Sequence, residues 1–188
     1  TFLGWSGTGI DGTQMDPVIT TGSTGDKEFT ANWKENSYTI QFIPYGDGTT
    51  GSMDDMNLKY TDRVSISANK FKRTGYTFAG WSLKAGADKV YNDSEVISGL
   101  AEGDNERLTL YPVWTANNYT VHFDTKNGDA IADRTFTYDK KYQLPTTTRY
   151  GYTFLGWCVE DGGTVTYAPG TSACLLYTSP SPRDMRRS

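Results

Sequence analysis

Arg73-Thr74-Gly75-Tyr76-Thr77-Phe78-Ala79-Gly80-Trp81 is the stretch that decides the fold, because the chain contains it again. It returns as Arg149-Tyr150-Gly151-Tyr152-Thr153-Phe154-Leu155-Gly156-Trp157, and its later part opens the chain as Thr1-Phe2-Leu3-Gly4-Trp5. Trp5, Trp81 and Trp157 are 76 residues apart each time. A fixed period of this size marks small supersecondary units in series, which serve as spacers or extended binding surfaces more readily than as single catalytic pockets.

Within the motif, strand alternation places Tyr76, Phe78 and Gly80 on one face and Thr77, Ala79 and Trp81 on the other. Apolar groups on both faces predict a strand central to its sheet. Gly80, like Gly156, either lets another backbone or ring approach closely or marks a bulge. Working outward, Tyr38-Thr39-Ile40-Gln41-Phe42 and Tyr119-Thr120-Val121-His122-Phe123 alternate strictly, so Tyr38, Ile40 and Phe42 should be buried and His122 should face solvent. Asn127-Gly128 is a hairpin signal, and second strands are expected around residues 57–66 and 134–144. Leu108 to Trp114 closes the unit and is matched by Phe29 to Trp33 in the first copy. Pro112 lacks an N–H, which predicts an edge position for that strand. Ser94 followed by Val96, Ile97 and Leu100 suggests one short helix over 94–102.

These units predict the back part of a repeat at 1–33, a linker at 34–37, a complete repeat at 38–114, a linker at 115–118, and the front part of a third repeat at 119–173. The chain begins inside the motif without a Met, so it reads as a truncated piece. From Cys174 to Ser188 the sequence resembles a translated sequencing adaptor, and the native part is expected to end at Ala173. Cys158 would then be a lone thiol.

Composition agrees with a mainly β to α+β class. Of 188 residues 36% are hydrophobic, yet aromatics reach 14% and there are 20 glycines, which calls for small aromatic cores joined by many turns. The formal charge of −4 argues against a nucleic-acid partner. No apolar run approaches the length of about 18 residues that spans a bilayer, so no direct membrane insertion is expected of this segment.

The order of motifs, Tyr-Thr-Ile/Val-x-Phe, Leu144-Pro145, Arg-x-Gly-Tyr-x-Phe-x-Gly-Trp, then Leu110-Tyr111-x-x-Trp114, resembles the Listeria-Bacteroides repeat, also called the internalin B B-repeat family. The resemblance covers residues 1 to about 173. It implies β-grasp-like modules in an elongated tandem array, carried by secreted or wall-anchored bacterial surface proteins and associated with adhesion. It implies no catalytic residues and no cofactor. Two departures stand out: Pro112 where the family more often has alanine, and Ala68-Asn69 where the third copy has Leu144-Pro145.

The remaining chemistry is sparse. Cys158 and His122 form one candidate nucleophile–base pair, weighed against a free thiol and a solvent-facing histidine, and solvated turns account better than a calcium site for Asp47, Asp54 and Asp55 or for Glu102, Asp104 and Glu106. No catalytic, cofactor or metal residue is therefore assigned. The recurring residues, Trp5, Trp33, Gly75, Tyr76, Phe78, Gly80, Trp81, Trp114, Gly151, Tyr152, Phe154, Gly156 and Trp157, are expected to be structural, since small modules need large side chains to bury enough area. Tyr45, Tyr91 and Tyr150 lie outside the motif and are freer to meet a ligand. The function expected is that of stalk or adhesion modules. The alternatives are a glycan-binding module or a spacer on a secreted hydrolase. The partners expected are a host or neighbouring-cell surface protein or a glycan.

Overall fold

The computed structural model describes residues 1–174. Residues 175–188, most of the adaptor-like run, lie outside the described residues. Every regular element among those described is a strand: β1 (Phe2–Gly7), β2 (Phe29–Trp33), β3 (Ser37–Phe42), β4 (Thr49–Thr50), β5 (Met56–Lys59), β6 (Val64–Ser65), β7 (Lys72–Arg73), β8 (Tyr76–Ser82), β9 (Val96–Ile97), β10 (Glu106–Ala116), β11 (Asn118–Val121), β12 (Arg134–Thr137), β13 (Lys141–Gln143) and β14 (Ser172–Cys174). The chain divides into two compact units. One holds Thr1–Tyr45, Gly51–Phe71 and Gly80–Val113, and the other holds Gly46–Thr50, Lys72–Ala79 and the chain from Trp114 onward.

In the middle copy four strands form one sheet in the order β5-β3-β10-β8, and β4-β7 and β6-β9 form separate two-stranded sheets. β3 and β10, the first and last strands, are parallel neighbours from Tyr38↔Glu106 to Phe42↔Leu110, while β5 runs antiparallel on the far side of β3. The alternation read from the sequence places the core: Tyr38, Ile40 and Phe42 are buried, and Ile66, Phe71, Trp81, Ile97 and Leu110 close over them. Phe42 and Phe71 meet the Trp81 ring at centroid distances of 5.0 and 6.1 Å.

Two strand positions differ from expectation. β8 lies at the sheet edge, and β10 lies inside the sheet. Apolar residues on both faces of β8 reflect two aromatic contacts and not two flanking strands: Trp81 enters the core, and Phe78 meets Trp114 edge to face at 5.8 Å. Pro112 is tolerated in an inner strand because β3 has already ended. The Leu110 carbonyl accepts from the Ile43 N–H at 3.0 Å. Pro112, two residues on, faces the same side, beyond the end of β3.

The expected helix over 94–102 is also absent. Ser94 has φ of 56°, which is not the extended conformation of an N-cap. Val96 and Ile97 instead form β9 against β6, with Ile97 buried and Val96 exposed. The expected second strands are each split by a turn, into β5 and β6 and into β12 and β13. The Asn127-Gly128 turn is displaced by one residue. Positive φ falls on Lys126 and Asn127, and the Gly128 N–H donates to the Thr125 carbonyl at 3.0 Å.

The third copy has its own core of Phe123, Phe136 and Leu144, with Trp157 packed against it. Phe123 and Trp157 meet at 5.2 Å and 58°, nearly repeating the Phe42–Trp81 pair at 5.0 Å and 58°. His122 is exposed, as the alternation predicted. The pairing also revises an alignment. Leu144 N–H donates to the Thr171 carbonyl, and Ile66 N–H donates to the Glu95 carbonyl. Ile66, not Ala68, is therefore the counterpart of Leu144, and the departure narrows to Ser67 where the third copy has Pro145.

One closure recurs in all three copies. Trp5, Trp81 and Trp157 each bridge a returning segment, at Gln14, Tyr91 and Tyr167. The Trp N–H donates to the partner carbonyl at 2.7, 2.8 and 2.8 Å, and the partner N–H donates back. The preceding glycine makes this approach possible. A Cβ on Gly4, Gly80 or Gly156 would lie 2.5, 2.4 or 2.2 Å from that carbonyl oxygen, and their φ values of 126°, 141° and 135° are ones that side chains disfavour. Both readings of the motif glycine hold in the first copy, where the β1/β2 register also shifts between Phe2 and Gly4.

Trp81 is fully buried. Trp81→Ala is expected to cost the middle copy about 3–5 kcal/mol, read from urea unfolding followed by near-UV circular dichroism. An unchanged midpoint would contradict its place at the centre of the core.

Candidate functional site

The residues that recur outside the cores gather at the joints between copies. At the first joint, Lys34-Glu35-Asn36 is held on every residue. Lys34 Nζ donates to Asp104 Oδ2 at 2.8 Å. The Glu35 carboxylate accepts from both the hydroxyl and the N–H of Thr61. Asn36 reaches three ways: its Oδ1 accepts from the Thr1 hydroxyl at 2.6 Å, its Nδ2 donates to the Glu102 carbonyl at 2.8 Å, and its backbone carbonyl accepts from the Tyr60 N–H at 2.9 Å. Asp104 ties the joint to β3 by accepting from the Ser37 N–H at 3.0 Å.

The second joint repeats the device. Only Asn117 separates β10 from β11. Its Oδ1 accepts from the Thr77 hydroxyl at 2.6 Å, and its carbonyl accepts from the Tyr138 N–H at 2.8 Å. Asn36 and Asn117 therefore occupy the same place. Each binds the threonine that precedes Phe-x-Gly-Trp in the copy before it, Thr1 or Thr77, and the tyrosine N–H at the turn after the second strand of the copy after it. A side chain that accepts on one side while its backbone accepts on the other fixes both neighbours through one residue.

Around Asn117 the motif adds aromatic contacts. Arg73 lies over the Tyr76 ring at 3.7 Å, Tyr76 meets Tyr138 edge to face at 5.5 Å, and the Tyr76 hydroxyl donates to Asp139 Oδ2 at 3.2 Å. Burial, opposed by Arg73 and reinforced by Asp139, raises the Tyr76 pKa. In the third copy Arg149 lies over Tyr152 in the same way, at 3.9 Å.

The motif residues thus divide by position. Trp81 and Gly80 are buried, and Tyr76, Phe78 and Trp114 are half-buried at the sheet edge and joint. Gly75 is buried against Tyr138, whereas Gly151 is exposed. In the flanking copies Trp5 is 39% exposed, Trp33 70% and Tyr152 67%, while Phe154, Gly156 and Trp157 are half-buried. Asn36, Asn117, Tyr60 and Tyr138 were missed by motif reading. Their signal is the shared third position of Lys34-Glu35-Asn36-Ser37 and Thr115-Ala116-Asn117-Asn118, which reads as plain polar linker until the partners are in place.

The candidate chemistries find other roles. His122 Nδ1 is 2.6 Å from Asp133 Oδ1, and Cys158 is exposed with a free thiol. Asp104 is engaged by Lys34, and Glu106 accepts from the Gly103 N–H at 3.0 Å. Among the described residues no group of three or more His, Cys, Asp or Glu is placed to hold a metal ion. No helix among them is long and apolar enough to cross a membrane.

The Listeria-Bacteroides repeat domain matches residues 38–111 and 119–178. The chain belongs to the Listeria-Bacteroides repeat family. A protein of Evansella cellulosilytica described as a Gly-rich membrane protein is 38% identical over 143 residues, 71% of this chain and 16% of that protein. A second membrane protein of the same organism is 30% identical over 90% of this chain and 25% of its own length. Internalin H of Listeria monocytogenes is 32% identical over 58% of this chain and 20% of its own length. The chain thus spans a quarter or less of the curated relatives it matches. No solved structure matches it significantly.

In these Listeria-Bacteroides repeats the first joint should respond to acid. The hydrogen bond from Lys34, then that from the Ser37 N–H, holds the Asp104 carboxyl at about 2 against its ordinary 3.8. The Thr61 hydroxyl and N–H lower Glu35 below its ordinary 4.5. A carboxylate with a depressed folded pKa stabilises fully above its unfolded value and loses that contribution as pH falls through the folded value. Amide exchange protection at Asn36, Ser37 and Tyr60 is expected to hold at pH 6 and to fall between pH 4.5 and 2. Asp104→Asn should remove most of that dependence, and a flat profile in the parent chain would contradict the assignment.

Proposed function

We propose that this chain is a segment of a secreted or wall-anchored bacterial surface protein whose tandem copies act as stalk and adhesion modules. The observation that carries the reading is the repeated joint. Asn36 and Asn117 pin each copy to the next through the same hydrogen bonds, so successive modules are linked by a fixed contact. The membrane proteins and the internalin among its relatives support an extracellular, envelope-associated place. The parallel first and last strands with a second strand flanking the first support a β-grasp-like module. Its action is associative and mechanical, without a chemical step, and its partner is a protein or glycan on a host or neighbouring cell.

Beads coated with the full chain are expected to be retained on bacterial or epithelial cell layers more than beads coated with unfolded chain. A glycan array run alongside separates the alternatives. Saturable sugar binding that disappears in Tyr150→Ala, with no cell retention, would replace the stalk and adhesion reading by that of a carbohydrate module or of an accessory to a secreted hydrolase. Tyr150 is the natural choice because its side chain is wholly exposed.

A further inference from the structure

We propose that the Arg-x-Gly-Tyr segment of each copy is a socket for the tyrosine at the turn after the second strand of the next copy, and that Arg149, Gly151 and Tyr152 form such a socket for a further copy. The inference concerns how copies lock together and stands whether or not the array binds a cell.

The filled socket defines the chemistry. Tyr138 follows β12 in a turn where Asp139 has φ of 61°. Its ring lies flat against Gly75, so closely that a Cβ there would sit 2.3 Å from Cγ, Cδ1 and Cδ2. The Gly75 carbonyl accepts from the Asn117 N–H at 2.8 Å, which sets the depth of the socket. Tyr76 forms one wall by ring contact and by its hydroxyl's bond to Asp139. Arg73 lies over Tyr76 and restrains that wall. Glycine is required twice, by a φ of 76° and by the ring that takes the place of a side chain.

The third copy presents the same geometry. Gly151 has φ of 79°, Arg149 stacks on Tyr152 at 3.9 Å, and among the described residues nothing would meet a Cβ on Gly151 within 4 Å. Tyr152 is 67% exposed where Tyr76 is half-buried. The complementary plug also exists in the middle copy: Tyr60, whose N–H bonds to Asn36 as that of Tyr138 bonds to Asn117, is 44% exposed. Occupant and socket are thus both defined by this chain, and the occupant is the tyrosine turn of another repeat.

The two glycines give an internal control, because they share the same φ and differ in the ring. In the full chain, Gly75→Ala is expected to lower exchange protection of the Phe123, Phe136 and Leu144 amides by about tenfold, the scale of one lost aromatic contact with its neighbours. Gly151→Ala should change them much less. Tyr138→Ala should reproduce the loss, and Gly75→Ala added to Tyr138→Ala should cost no more than Gly151→Ala does. Equal effects at the two glycines, or additivity in the double variant, would overturn the socket. For the open copy, a head-to-tail cyclised peptide of residues 134–143 is titrated to millimolar concentration, since a contact made within one chain is weak between molecules. Shifts at the Gly151 amide and Tyr152 ring, lost in Tyr152→Ala, are expected. Unchanged spectra would refute the site in the third copy.

Discussion

The architecture depends on one close approach: a backbone carbonyl resting on the glycine before the motif tryptophan. Because Gly80 has no side chain, the segment around Tyr91 can come near enough to exchange hydrogen bonds with Trp81 on the outer edge of β8. That exchange orients the tryptophan so that its ring faces the core, where it meets Phe42 and Phe71. It also occupies backbone groups that an edge strand would otherwise present to other chains. Any side chain on Gly80 would displace the returning segment, and the ring would follow. The same arrangement at Gly4 and Gly156 makes this closure the unit that is copied, more than any single core residue.

The joints use a comparable economy. A module of this size buries little area, so its neighbours matter to its stability. Asn36 and Asn117 satisfy groups on both sides with one side chain and one carbonyl, and the segments about them are drawn into strands and hydrogen bonds. Exposed ion pairs such as Lys34–Asp104 contribute modestly. Their value lies in fixing geometry at a point where the chain passes from one core to the next.

Much of the module was legible in the sequence. Alternation in Tyr38-Thr39-Ile40-Gln41-Phe42 located the buried face, His122 was placed in solvent, and glycine before tryptophan foretold a close approach or bulge. What escaped was non-local. Apolar residues on both faces of β8 report burial and do not reveal how many strands flank it, so an edge read as a centre. Pro112 reports that one N–H is unneeded, which holds at an inner strand once its neighbour has ended. Val96, Ile97 and Leu100 fit a helical turn as well as a strand until β6 supplies a partner. Two extra residues between Ile66 and Trp81 hid the match to Leu144. The joint was hardest to see, because asparagine in a polar linker carries no pattern until Thr77 and Tyr138 are in place.

The parallel pairing of β3 with β10 bears on how a module meets tension. β3 receives the chain from the copy before, and β10 hands it to the copy after. A pull along the chain draws these adjacent strands past each other, so the bonds from Tyr38↔Glu106 to Phe42↔Leu110 are loaded together in shear. They would have to break as a group, where an antiparallel terminal pair would open one bond at a time. Under such a load the module would resist until the paired positions from Tyr38 to Phe42 gave way together.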